Sequence, residues 1–202
     1  LMNKGVPLSY ITQRHFFYNH EFIISPAVLI PRSETEMLVE KAKDEINLIQ
    51  NDELHVLDLC SGSGCIGLSL LGEITHKNIH MSFSDISSDA LEINKRNYQK
   101  LKNFFNKHDV AFIQSDLFNS FDRNSLFDFI VSNPPYIKNQ LHRKTVHQKV
   151  IEFEPHVALF LEDDLFDQWF DSFFKEIKLF LKPNGQAFIE GHEEELQNLE
   201  RI

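Results

Sequence analysis

The chain has only two cysteines, a deficit of basic residues and no long uninterrupted apolar run. Each shortage excludes a class of protein. Cys60 and Cys65 lie five positions apart around a glycine turn. That spacing suits neither a disulfide framework nor a four-ligand zinc site, so both are expected as reduced thiols. Twenty Lys and Arg against thirty Asp and Glu give a formal net charge of −10, which opposes nonspecific attraction to a phosphate backbone or an anionic membrane surface. The longest apolar stretches are strand-sized and broken by charges. A membrane span and a secretory signal are therefore not expected, and the expectation is a cytoplasmic protein without membrane association. The ten histidines include no helical pair four apart with a carboxylate between. His142 and His147 sit in a polar stretch and His192 among glutamates, so no metal is expected. Internal repeats and low-complexity linkers are also missing.

What remains, 202 residues with 42% hydrophobic content, suits one α/β domain with a sizeable core. Residues 1–31 hold short apolar pieces, His15 to Phe17 and Phe22 to Ile24, between Pro7, Pro26 and Pro31. They read as a small leading hairpin segment, with 32–202 as the main domain. Ser33 and Glu36 have the spacing of a capping box before a helix marked by Met37, Leu38, Ala42, Ile46 and Ile49. From Val56 onward strands and helices alternate. Val56 to Leu59, Ile79 to Asp85, Val110 to Ser115, Phe127 to Ser132 and Gln186 to Glu190 are the expected strands. Between the last two, an aromatic-rich helix from Leu165 to Phe180 reads as core, ended by Pro183-Asn184-Gly185. Alternation of this kind implies parallel pairing with right-handed crossovers, a Rossmann-like doubly wound α/β sheet.

Ligands of such a sheet bind beyond the carboxyl ends of the strands, so the strand-end residues belong together. After the first strand, Cys60, Ser61, Gly62, Ser63 and Gly64 form a glycine turn in which the backbone can approach a ligand. Asp85 ends the second strand about twenty residues on, where a carboxylate can accept from both hydroxyls of a ribose. Asp116 and Leu117 follow the third strand and can face an adenine amino group and ring. Lysine followed by a hydroxyl residue, as in a P-loop, is absent from the glycine turn, which argues against polyphosphate.

The fourth strand ends in Asn133-Pro134-Pro135-Tyr136. Two prolines fix the backbone and remove two N–H donors, leaving carbonyls that only accept. The Asn133 side-chain oxygen and the Pro134 carbonyl can each take one N–H of a substrate NH2 group, and Tyr136 offers an aromatic face. An amide nitrogen is a poor nucleophile. Two acceptors can hold it in line with an activated methyl group and favour the positive charge that develops on it.

With both constellations in place, the chain resembles the HemK-type glutamine methyltransferases of class I peptide-chain release factors, within the S-adenosylmethionine-dependent class I methyltransferases. Besides the Asn133 to Tyr136 motif, the resemblance rests on Gly5-Val-Pro7-Leu-Ser-Tyr10-Ile11, Phe16, Val28 to Pro31, Arg32-Ser-Glu34-Thr35-Glu36, and Phe153-Glu154-Pro155 with Ala158-Leu159. It implies that Cys60 to Gly64 hold the methionine part of S-adenosylmethionine, Asp85 the ribose, and Asp116 with Leu117 the adenine. Asn133 to Tyr136 would hold the glutamine amide of a Gly-Gly-Gln motif, with Asn133 also near the cofactor and S-adenosylhomocysteine as product. Arg32 and Glu34 would be nearby structural or gating residues. The implied partner is a release factor, and the implied state a monomer. The family also carries an N-terminal helical recognition domain and two strands beyond the fifth, for which Glu193 to Ile202 leaves no room, so an incomplete copy is expected. Ser33 stands where the family has a second proline, and Glu162-Asp163-Asp164-Leu165 where it has a glycine turn. Two other readings share the residues. DNA adenine and some ribosomal RNA guanine methyltransferases use the same acceptor motif, with Lys138, Arg143, Lys144 and Lys149 as the nearby cations. A catalytically inactive partner subunit with the same fold is the third.

Overall fold

The structure is a computed structural model that describes residues 5–105 and 108–191. A short helix, α1 (Leu8–Thr12), leads into an antiparallel hairpin of β1 (Arg14–Phe17) and β2 (His20–Ile23). Then follow α2 (Thr35–Leu48), β3 (Glu53–Leu59), α3 (Cys65–Glu73), β4 (Asn78–Asp85), α4 (Ser88–Leu101), β5 (Asp109–Gln114) and β6 (Phe127–Ser132). Beyond them lie β7 (Ile137–Lys138), α5 (Gln148–Phe153), β8 (Phe160–Leu161), α6 (Phe166–Phe180) and β9 (Leu181–Ile189).

Five strands make one parallel sheet in the order β5-β4-β3-β6-β9. The chain builds outward from β3 to β5, then returns to the far side of β3 with β6. The point where the order reverses, between β3 and β6, is where an open α/β sheet leaves a crevice at its carboxyl ends. The expected doubly wound fold is thus present, with β6 at the residues read from the sequence.

Both faces of the sheet are covered, which is why β3 and β6 read as apolar runs without polar alternation. Val56, Phe129 and Val131 face one cluster, shared with Leu68, Leu71 and Ile93 of the helices and with Phe17, Phe22 and Ile24 of the hairpin segment. Leu57, Leu59 and Ile130 face the other, built on Phe166, Phe170, Phe173, Ile177 and Phe180 of α6. Those five recur at helical spacing and are at most 6% exposed, so the stripe is core as its spacing suggests.

Three local readings change. The expected Ser33–Glu36 capping box does not form: Glu34 occupies the N-cap of α2 without a side-chain cap bond, and the Glu36 carboxylate accepts from the Tyr18 N–H of the hairpin. A tertiary acceptor role outcompetes the local one. The apolar face of α2 is Val39, Ala42 and Ile46, leaving Met37 69% exposed. Pro183-Asn184-Gly185 does not end α6. The helix stops at Phe180, and the tripeptide lies inside β9, where Asn184 takes φ 66° and the register against β6 shifts between Phe127 and Phe129. Pairing with β6 on both sides of the irregularity makes it a bulge within the strand. Among the described residues no helix is long and apolar enough to cross a membrane. His192 and the region expected to leave no room for further strands fall outside the described residues.

Candidate active site

At the carboxyl end of β3 the backbone turns at once. Cys60 takes φ 58°, a left-handed conformation that a non-glycine residue adopts only when its surroundings enforce it. The enforcement is visible. The Ser61 N–H donates to the Ser84 carbonyl at 2.9 Å, the Gly64 N–H to the Ser61 carbonyl at 2.7 Å, and the Gly62 N–H to Asp85 Oδ2 at 2.8 Å. Gly62 has φ 52°, and a Cβ there would meet nothing within 4 Å, so the loop opens toward a cavity. Gly64 does the opposite: a Cβ would lie 2.2 Å from Asn94 Oδ1, and the turn packs directly on α4. Asn94 donates to Ser61 Oγ at 3.1 Å and Asn97 to the Ser63 carbonyl at 2.9 Å, both from fully buried side chains.

Asp85 ends β4 with Oδ2 on Gly62 and Oδ1 accepting the Ser87 N–H at 2.9 Å. Burial raises its carboxyl above the usual range, and those N–H donors pull it back. Ser115 N–H donates to the Asp85 carbonyl at 3.0 Å, which sets the turn after β5 beside this carboxylate. In that turn Leu117 takes φ 46°, a second left-handed residue at the rim.

Ser132, buried at the end of β6, staples the neighbouring strand ends: its hydroxyl donates to the Leu59 carbonyl at 2.7 Å and its carbonyl accepts the Glu190 N–H at 3.0 Å. Asn133 follows. Its Nδ2 donates to Thr35 Oγ1 at 3.3 Å, and Thr35 is buried at the start of α2. With the amide nitrogen turned to Thr35, the Asn133 oxygen is left to accept. The Tyr136 hydroxyl donates to Glu190 Oε1 at 3.2 Å. Burial, with the Glu190 carboxylate adding to it, pushes the phenol up to about 12, so Tyr136 remains a neutral donor at physiological pH.

One cavity of about 200 Å³ collects these groups. Cys60, Ser61, Gly62, Ser63, Asp85, Asp116, Leu117, Asn133 and Pro135 all line it. Gly64, Pro134 and Tyr136 lie behind or beside this lining: Gly64 packs on α4, Pro134 is buried, and Tyr136 faces Glu190. A second set of walls has no strand-end signal in the sequence. Val28 and Pro31 line the cavity from the leading segment, Thr35 from the start of α2, Ile86 from beside Asp85, and Val157, Ala158, Phe160 and Leu161 from the stretch after α5. Trp169, grouped with the α6 core by its spacing, also reaches the cavity. The leading segment and that loop are joined by a buried clasp. Glu154, with its side chain 2% exposed, accepts from Arg32 Nη2 at 2.6 Å and from the Ile30 N–H at 3.1 Å. Arg32 therefore holds two walls of the cavity together. Two of the cations nearest the acceptor motif lie on aromatic rings, Lys138 over Phe166 at 4.5 Å and Arg143 over Phe160 at 5.1 Å. The two thiols are poor nucleophiles: burial pushes Cys65 up to about 12 and raises Cys60 further.

A family model, the methyltransferase small domain, matches residues 33–158 of this chain. The chain belongs to that family. Similar proteins include a release factor glutamine methyltransferase of Leptospira interrogans, 44% identical over 163 residues, covering 80% of this chain and 54% of its own length. Another of the same name, from Flavobacterium psychrophilum, is 35% identical over 196 residues, covering 94% of this chain and 64% of its own length. This methyltransferase domain thus spans between half and two thirds of the length of those relatives. Among solved structures, a SAM-dependent methyltransferase from Agrobacterium tumefaciens superposes with a TM-score of 0.61 at 16% identity, over 89% of this chain and 52% of the other. At that identity the likeness is one of fold.

Proposed function

We propose that the chain transfers a methyl group from S-adenosylmethionine to the side-chain amide nitrogen of the glutamine in the Gly-Gly-Gln motif of a class I release factor. The observation that carries this reading is the Asn133–Thr35 hydrogen bond, which leaves the Asn133 oxygen to accept at the rim of the cavity beside the rigid Pro134-Pro135. The two relatives named as release factor glutamine methyltransferases support the acceptor.

The cavity suits the cofactor on its own terms. The open space over Gly62 admits a chain close to the backbone, and Asp85, while holding two N–H groups, has lone pairs left for ribose hydroxyls. Ile86 and Leu117 offer apolar faces for an adenine, with Asp116 at the rim. When bound, the cofactor supplies a methyl group on positive sulfur, a donor already activated. The remaining work falls to this chain's residues. Asn133 Oδ1 and the Pro134 carbonyl accept the two amide N–H groups, orient the nitrogen, and favour positive charge as it forms. Pro135 closes the cavity beside them, and Glu190 holds Tyr136 in place as a packing face. The amide proton is lost to solvent after transfer.

The test is transfer of a tritiated methyl group to three acceptors in parallel: a purified class I release factor, duplex DNA and ribosomal RNA. Labelling of the release factor alone, lost when its Gly-Gly-Gln glutamine is changed to alanine, is the expected result. Labelling of a nucleic acid instead would overturn the acceptor, and cofactor binding without transfer would leave a binding subunit.

A further inference from the structure

The sheet end farthest from the cavity carries a second cluster. Parallel register sets His55 of β3 beside His80 of β4, and His80 beside Asp109 of β5. In-register neighbours on parallel strands share a face, and Glu53, two residues before His55, joins them. The two imidazoles stack with centroids 4.7 Å apart and planes inclined by 13°. His80 Nε2 lies 2.8 Å from Glu53 Oε1, and His80 Nδ1 lies 3.2 Å from Asp109 Oδ2. Ligand atoms of Glu53, His55 and His80 all fall within 4.8 Å of one another.

We propose that Glu53, His55 and His80 form a binding site for a divalent transition ion of the zinc type, separate from the methyl-transfer site. Two imidazoles and one carboxylate are a donor set that zinc takes in four-coordinate sites with one position left to water. Bonds of about 2.0–2.1 Å place neighbouring donors roughly 3.4 Å apart, so side-chain rotations suffice to bring the three atoms onto one ion. Asp109 completes the arrangement by accepting His80 Nδ1–H, which presents Nε2 as the ligand, as outer carboxylates do for metal-bound histidines. The ion binds Nε2 in its unprotonated form, and any proton carried there goes to solvent. The charges around the cluster favour a cation: Glu53 and Asp109 flank it, and the Lys182 ammonium of β9 is engaged by Asp128 at 2.7 Å. Spacing along the sequence concealed the site, because strand register and not helical periodicity makes the histidine pair.

Located at the beginnings of β3 and β4, about 13 Å along β3 from the strand end that meets the cavity, the ion would tie the two strands together without touching the acceptor motif. The experiment is calorimetric titration of zinc sulfate into the purified metal-free chain, with magnesium chloride as the comparison. One zinc per chain is expected, with no magnesium binding. His55→Ala and His80→Ala each lower zinc affinity by more than tenfold, and Asp109→Asn by about tenfold. Zinc raises the unfolding temperature of the unaltered chain and not of the histidine variants. Glu53→Gln, at an exposed strand start, gives a variant whose folding is not at stake and is expected to weaken zinc as well. No saturable zinc binding, or equal binding by the chain and both histidine variants, overturns the site.

Discussion

The proposed cofactor side and the proposed acceptor side of the cavity are built differently. On the first side the contacts join neighbouring strand ends, Gly62 to Asp85, Ser61 to Ser84 and Ser115 to Asp85, or tie the loop to the next helix, as Asn94 and Asn97 do. The acceptor side is held by contacts between segments remote in sequence, Asn133 to Thr35 across 98 residues and Arg32 to Glu154 across 122. The first is a property of strand-turn-helix units and the second of the folded whole. Damage on the cofactor side should therefore appear as lost binding with the fold intact. Damage on the acceptor side should appear as lost transfer or lost stability with binding intact.

The largest expected effect is from Asn133→Ala, which removes one of two acceptors for the amide. Transfer should fall by about 10²–10³-fold with cofactor affinity within about twofold, read from single-turnover rates and calorimetry. Equal losses in both would erase the distinction between the two sides. Next comes Glu154→Ala, which strips a buried acceptor from Arg32 and Ile30. Denaturant unfolding should show a loss of about 3 kcal/mol. Asp85→Asn sharpens the comparison from the other side. It removes the charge and turns an NH2 group onto one of the N–H donors, so cofactor affinity should drop by about 10–100-fold while transfer at saturating cofactor is largely kept. Thr35→Val frees the Asn133 amide and should lower transfer about fivefold, the value of one neutral hydrogen bond, without moving cofactor affinity.

A further prediction tests the core beneath the loop. Asp58 is wholly buried, with Oδ2 accepting the Gly67 N–H at 2.9 Å, and burial holds its carboxyl well above the unfolded value of 3.8. A carboxyl raised in the folded state favours folding most when it is protonated. Its contribution is fully present below the unfolded value and is lost as pH rises through the raised one. The chain should therefore lose stability relative to Asp58→Asn as pH climbs from about 4, and the difference should level off once the raised value is passed. A pH-independent difference would contradict this reading of Asp58.

The same contrast explains what the sequence made legible. Strand ends, glycine turn, Asp85 and the Asn133 motif were readable because each is a short run with a fixed relation to one strand. Thr35 carries no signal in the sequence beyond the resemblance, and its bond to Asn133 follows from how α2 docks. Asn94 and Asn97 were hidden within an amphipathic helix, although two asparagines on the apolar face of α4 were a signal that a polar partner lies behind it. Trp169 was assigned to the core by helical spacing, which cannot separate the end of a core from the wall of a cavity. The His55–His80 pair required the register of β3 on β4, which no spacing along the chain provides.

The most direct measurement on the central claim is to locate the methyl group. A class I release factor is incubated with S-adenosylmethionine and either the unaltered chain or Asn133→Ala, and the factor is then mapped by tandem mass spectrometry. One methyl group on the glutamine of the Gly-Gly-Gln motif is expected with the unaltered chain, and almost none with Asn133→Ala although it still binds the cofactor. A methyl group on another residue, or equal methylation by the two proteins, would contradict it.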